Sequence, residues 1–223
     1  MMLGQQAKRH IYLPQPRNLQ FTGRQEELNT LERRLYNARD CHSISLVGLG
    51  GIGKTQVALQ FACWVIDNHP NCSVFWVPAL SAETFDKAHE DIANLLGIGA
   101  FDQKKDTNEL VRQHISSGRI GEWLFVVDNA DDLRIMNGED PTGSSSIRGY
   151  LPTGDQGRTL FTTRDVKTAQ GLAGSSMMRV QNMPFEAAAN LLRSMVAQKE
   201  LVEDEIAVEK LFSELEYLPL AIT

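Results

Sequence analysis

Gly48-Leu49-Gly50-Gly51-Ile52-Gly53-Lys54-Thr55 is the stretch that decides the fold. It satisfies the phosphate-loop pattern G-x-x-x-x-G-K-[ST] at each fixed position. An apolar run over 44–47 leads in, and a helix-like run over 56–66 leads out. Small residues let a backbone approach closely, so that successive N–H groups form an anion-binding nest. Gly50, Gly51 and Gly53 supply that freedom. A helix starting near Lys54 aims its positive end at phosphate oxygens. Lys54 is placed to reach the β- and γ-phosphates, and the Thr55 hydroxyl to ligate Mg²⁺. Glycine flexibility alone would explain neither Lys54 nor Thr55.

Working outward, apolar β-branched runs predict strands over 44–47, 74–77, 123–127 and 158–162, with a weaker one over 177–180. Helical periodicity fills the intervals. A helix follows the loop and ends before Pro70; another covers 82–96 with Phe85, Ile92, Leu95 and Leu96 inward; a short one covers 107–116. Such alternation predicts an α/β three-layer sandwich built on a mostly parallel five-stranded sheet. The segment 137–149, with Pro141-Thr142-Gly143 and three serines, is expected to be a mobile loop. Pro184 opens a helix with Ala187, Ala188, Leu191, Leu192, Met195 and Val196 in register, and a second helix covers 204–216. Two successive helices after an α/β block predict the start of a small helical subdomain. The boundaries are then a linker over 1–18, a nucleotide-binding domain over 19–182 and the helical part over 183–223. The chain stops at Leu220-Ala221-Ile222-Thr223 with no capping signal, as a fragment of a longer protein would.

The second element of the phosphate site is Leu124-Phe125-Val126-Val127-Asp128. An apolar central strand delivers a carboxylate to its C-terminal end, where Asp128 can hold magnesium. Asn129 stands where many ATPases place a second acid to activate water. Asp131 and Asp132 lie one or two residues too far along for that task, and loop acids or a helix N-cap are the plainer reading. Hydrolysis is therefore expected to be slow or absent.

Composition bounds the rest. The 223 residues suit one α/β domain or slightly more, and 42% hydrophobic content can fill a core. A net charge of −6 gives no basic footprint, so nucleic acid is not an expected partner. No apolar run approaches the roughly 18 residues of a membrane-spanning helix, and the start is not a signal peptide. Cys41, Cys63 and Cys72 are odd in number and lack metal-ligand spacing. They read as free thiols in a reducing, cytoplasmic setting.

Several segments together resemble the NB-ARC module of STAND-class signalling ATPases. Phe21-Thr22-Gly23-Arg24-Gln25-Glu26-Glu27-Leu28 is similar to the family's opening motif. The phosphate loop, Thr162-Thr163-Arg164, and Leu218-Pro219-Leu220-Ala221 match further motifs in order, and Asp128-Asn129-Ala130-Asp131-Asp132 is most like fungal members. The resemblance runs from about residue 19 to the end. It implies that Phe21, Thr22 and Arg24 line an adenine pocket, and that Ile52 and Gln56 join the loop residues around the nucleotide. It also implies that Arg164 senses the γ-phosphate and that Pro219 packs on the base or ribose. Taken as local structure alone, Thr22 reads as a helix N-cap, Arg164 as a surface arginine and Pro219 as a helix breaker. Tyr217 departs from the family's glycine before Leu-Pro.

The resemblance implies an ATP- or ADP-binding switch with Mg²⁺, working through self-association or through effector and repeat domains. Lys54, Asp128 and Arg164 would carry whatever hydrolysis occurs. A role in cell-death or non-self signalling follows by analogy. One alternative is a catalytic P-loop ATPase or kinase, which needs a substrate pocket the sequence does not display. Another is a fragment of a nucleotide-regulated transcription regulator. A GTPase is disfavoured by the lack of an N-K-x-D motif.

Overall fold

The computed structural model describes residues 8–38, 41–98, 106–139, 146–196 and 204–222. Strands β1 (Ile11–Tyr12), β2 (Ser43–Val47), β3 (Ser73–Pro78), β4 (Trp123–Asp128), β5 (Gly157–Thr163) and β6 (Met177–Arg179) form one sheet. Its order is β1-β3-β4-β5-β2-β6, and every pairing is parallel. The expected α/β sandwich is present, with one strand more than the five predicted.

The extra strand, β1, lies inside the stretch read as a linker. Two residues are too short to show an alternation. Its place is fixed instead by cross-chain bonds: Val74 N–H donates to the His10 carbonyl at 2.9 Å, and Arg9 donates to the carbonyls of Cys72 and Ile66.

Parallel strands buried on both faces show how alternation builds the layers. Ile44, Leu46, Val74, Trp76, Leu124, Val126 and Leu160 point to one face. There they meet α1 (Gln25–Glu32) and α2 (Lys54–Asn68) through Leu31, Val57, Phe61 and Val65. Phe75, Val77, Phe125, Val127 and Phe161 point to the other. These meet α3 (Ala82–Leu96) and α4 (Thr107–Ser116). Both helices have the predicted bounds. Leu95, expected inward, is 41% exposed. At 100° per residue it lies about 20° beyond Ala88 and about 60° from Ile92, at the edge of the buried face and in the last turn of α3.

Helices α5 (Leu133–Asn137) and α6 (Val166–Ala173) follow β4 and β5. The segment expected as a mobile loop is ordered at both ends. Gly138 closes α5, and Ser146 caps a 3₁₀ turn, Ile147–Tyr150, whose Ile147 is buried. Residues 140–145 lie outside the described residues.

A third core gathers α7 (Phe185–Met195), α8 (Glu205–Glu214) and α9 (Pro219–Ile222) around Ala188, Leu191, Val208 and Phe212. The chain enters α9 through Glu216 and Tyr217, both left-handed at φ 52°. Tyr217 holds the position where glycine was expected, and its ring lies 5.7 Å from that of Phe212. No described helix is long and apolar enough to cross a membrane.

Candidate functional site

The loop after β2 is tied to the sheet by Gly48 N–H, which donates to the Thr163 carbonyl at 3.3 Å. It turns into α2 through Gly53 at φ 95°, a conformation that side-chain-bearing residues rarely adopt. Gly53 is the N-cap, so no side chain satisfies the first N–H groups of α2. Those donors and the positive end of a fifteen-residue helix converge on the loop. Lys54 opens the helix and is 8% exposed. Its Nζ donates to the Gly48 and Leu49 carbonyls, each at 2.9 Å. Burial lowers its pKa, while Asp131 and Asp128 act in the opposite sense.

Beside the loop, Asp128 ends β4, but β4 is not the neighbour of β2; β5 lies between them. That intervening strand supplies Thr162. Its hydroxyl donates to Asp128 Oδ1 at 2.6 Å and accepts from Asn129 N–H at 2.9 Å. Thr55 Oγ1 donates to the same carboxylate oxygen at 2.9 Å. Burial pushes the Asp128 carboxyl up from its ordinary range, against hydrogen bonds from Thr162 and Thr55 that favour the charged form. A hydroxyl and a carboxylate in contact are hard oxygen donors of the kind magnesium prefers. Asn129 takes φ 61° and turns its amide toward Asp128 Oδ2 at 3.4 Å. No acid stands at that position. Asp132 caps α5 as predicted, accepting from Arg134 N–H.

Two adjoining cavities meet at the loop. One, of about 400 Å³, is lined by Gly50, Gly51, Gly53, Lys54, Thr55, Gln56, Asn129, Arg164 and Pro219, among others. The second, of about 90 Å³, is lined by Phe21, Thr22, Arg24, Met183, Leu191 and Pro219, among others. The first is polar at its loop end and the second is largely apolar. Pro219 borders both. Beside it, Leu220 N–H donates to the Gly51 carbonyl at 3.2 Å, so α9 is docked directly on the phosphate loop.

The structure overturns one sequence-derived reading, the Thr22 cap, and adds contacts at Arg24 and Ile52. Thr22 is not the cap of α1; the helix begins after Arg24, which takes φ 64° with no side-chain cap. Arg24 borders the smaller cavity, but its guanidinium donates to the Ile52 carbonyl at 2.9 Å, the Gln181 carbonyl at 2.6 Å and Glu27 at 2.9 Å. It therefore braces the loop from behind. Ile52 lines neither of these two cavities; its side chain is 2% exposed in the core.

Arg164 stands over the loop. Its guanidinium is 3.4 Å from where a Cβ on Gly50 would lie. Its backbone N–H donates to Asp131 Oδ1 at 2.6 Å, and its Nε pairs with Asp131 Oδ2 at 3.1 Å. Sequence reasoning missed Thr162, Met183, Leu191 and the tie between Asp131 and Arg164. Only Thr162 carried a signal, as the strand residue two before Arg164.

Comparisons with known proteins bear on the family and on the fold. A model of the NB-ARC domain matches residues 24–202. The chain is 36% identical over 224 residues to a nucleotide-binding leucine-rich repeat (NLR)-like protein of Hyaloscypha variabilis. That alignment covers 96% of this chain and 22% of the relative, so the chain spans less than a quarter of it. Among solved structures, the Walker-type ATPase of Pyrococcus abyssi superposes with a TM-score of 0.59 at 16% identity, over 91% of this chain and 66% of that one. A STAND protein with a tetratricopeptide repeat sensor from Pyrococcus horikoshii gives 0.51 at 20% identity, over 93% and 30%. At these identities the structural likeness is one of fold.

Proposed function

The chain belongs to the NB-ARC family, and from that premise we propose that it is an adenine-nucleotide-controlled switch module of a signalling NTPase. The observation that carries the reading is the docking of α9 on the phosphate loop, with Pro219 bordering both cavities. One ligand lying across the two cavities would touch the sheet and the helical part together. ADP would hold this closed arrangement. Exchange for ATP would favour an open form able to self-associate or to engage further domains of a longer protein. The requirement is a difference in nucleotide affinity between the two forms; tight binding to both shifts nothing.

The residues fit the nucleotide and its metal. Lys54 and the first N–H groups of α2 would hold the β- and γ-phosphates. Thr55 and Asp128 would hold Mg²⁺, which supplies charge neutralisation at the phosphates. Phe21, Thr22, Met183 and Leu191 would receive the base under Pro219. Thr162 keeps Asp128 aimed at Thr55 by donating to it. Asn129 is a neutral amide where a water-activating acid would stand, which supports slow or absent hydrolysis. We assign the segment 183–223 to the start of a helical subdomain and the module to the cytoplasm, with a signalling role of the cell-death type.

The test is nucleotide content and affinity. Stoichiometric ADP released on denaturation of the purified chain is the expected result. Lys54→Ala is expected to abolish binding of both ADP and ATP in calorimetry; unchanged affinity would sink the site. Turnover in the wild type is expected to fall far below the roughly 10 per second typical of enzymes.

A further inference from the structure

We propose that Asp131 sets the nucleotide preference of this site by occupying the Arg164 guanidinium, for which a terminal phosphate must compete. The inference rests on the nucleotide reading above and deepens it. Asp131 accepts two bonds from the same residue, one from the Arg164 backbone N–H at 2.6 Å and one from Nε at 3.1 Å. The backbone that carries the carboxylate is held in place. Ala130 N–H donates to the Thr162 carbonyl at 2.9 Å, and Asn129 N–H to the Thr162 hydroxyl at 2.9 Å. These bonds pin the segment after β4 onto the end of β5, where Arg164 follows. Arg164 thus forms a wall between the 400 Å³ phosphate cavity and a cavity of about 220 Å³ behind the loop, lined also by Arg179 and Gln181.

The charges make the pair selective. Lys54 and Arg164 supply two positive groups around the loop, and Asp128 and Asp131 supply two negative ones. Asp128 sits on the Thr55 side, where a metal ion would offset it. Asp131 pairs directly with Arg164 and also acts on Lys54, from farther off. A nucleoside diphosphate places no group at that end of the cavity. A triphosphate does, and must compete with Asp131 for the guanidinium while enduring its like charge. The cost falls on the triphosphate alone. Asp131 is a specificity-determining residue in this scheme; it need not touch the reacting atoms.

Asp131→Asn keeps an acceptor for the Arg164 N–H and removes the charge. Calorimetric Kd values for ADP and a non-hydrolysable ATP analogue should be measured for wild type, Asp131→Asn, Arg164→Gln and the double variant. The expected result is an ATP-analogue affinity raised on the order of 5-fold, with ADP affinity unchanged. The gain should shrink when Arg164→Gln is already present. Equal changes for both nucleotides, or a gain undiminished by Arg164→Gln, overturn the proposal. Melting of the nucleotide-free variants checks that they are folded, and Asp131→Ser repeats the test should Asp131→Asn fail that check. If the wild type binds neither nucleotide, the nucleotide reading itself falls. If it binds both and the ratio ignores Asp131, only the present inference falls.

Discussion

His89 has no place in the nucleotide site, yet its burial links the stability of the chain to acid. It is fully buried in α3 between Phe85 and Phe125, with ring centroids 4.1 and 6.1 Å away. Nδ1 lies 3.2 Å from the Phe85 carbonyl, and Nε2 has no partner among the described residues. Burial pushes its pKa down from 6.5 to about 4. The unfolded chain therefore takes up the proton first. Its contribution is fully present above the ordinary histidine value and drains away as pH falls toward 4. The loss over that window is roughly 3 kcal/mol. His89→Leu is expected to flatten urea-derived stability between pH 6.5 and 4; an unchanged slope would show that other groups dominate. Asp128 titrates in the opposite sense. Its raised pKa means that acid removes the charge a magnesium ion needs.

Among the elements, β5 does the most for the site, and it shows what a sequence can and cannot reveal. Its β-branched and aromatic residues made it legible as a strand, and Lys54, Thr55 and Asp128 were legible from motif spacing. That β5 separates β4 from β2 is a matter of pairing, which no local pattern encodes. Thr162 gained its role only from that placement. The same holds for Asp131, whose partner comes from another strand's end, and for β1, which is too short to have a period. At the start of β5, Gly157 sits opposite Trp123, and a Cβ added there would fall 1.9 Å from the indole. The ring cannot yield cheaply, because it is 3% exposed in the core. Gly157→Ala is expected to cost about 1–3 kcal/mol in chemical unfolding. A wild-type midpoint would mean that Trp123 has room to turn.

Across the whole molecule, one sheet-facing core and the helical core come together beside two adjoining cavities, and Pro219 borders both. Pro219→Ala removes ring carbons bordering both cavities. The expected loss is about 1 kcal/mol of ADP affinity, with inorganic pyrophosphate binding unaffected. Loss of both ligands together would place Pro219's effect on the loop rather than on the base. The strand order carries a further consequence for how the chain is made. On a ribosome, β2 and its phosphate loop emerge early, but both neighbours of β2 in the sheet, β5 and β6, come roughly a hundred residues later. At about 5–20 residues per second, an apolar strand waits roughly 6–26 seconds for its sheet neighbours. Meanwhile β3 and β4 can already pair. The strand that leads into the phosphate loop therefore gains its sheet partners only once β5 and β6 have been made.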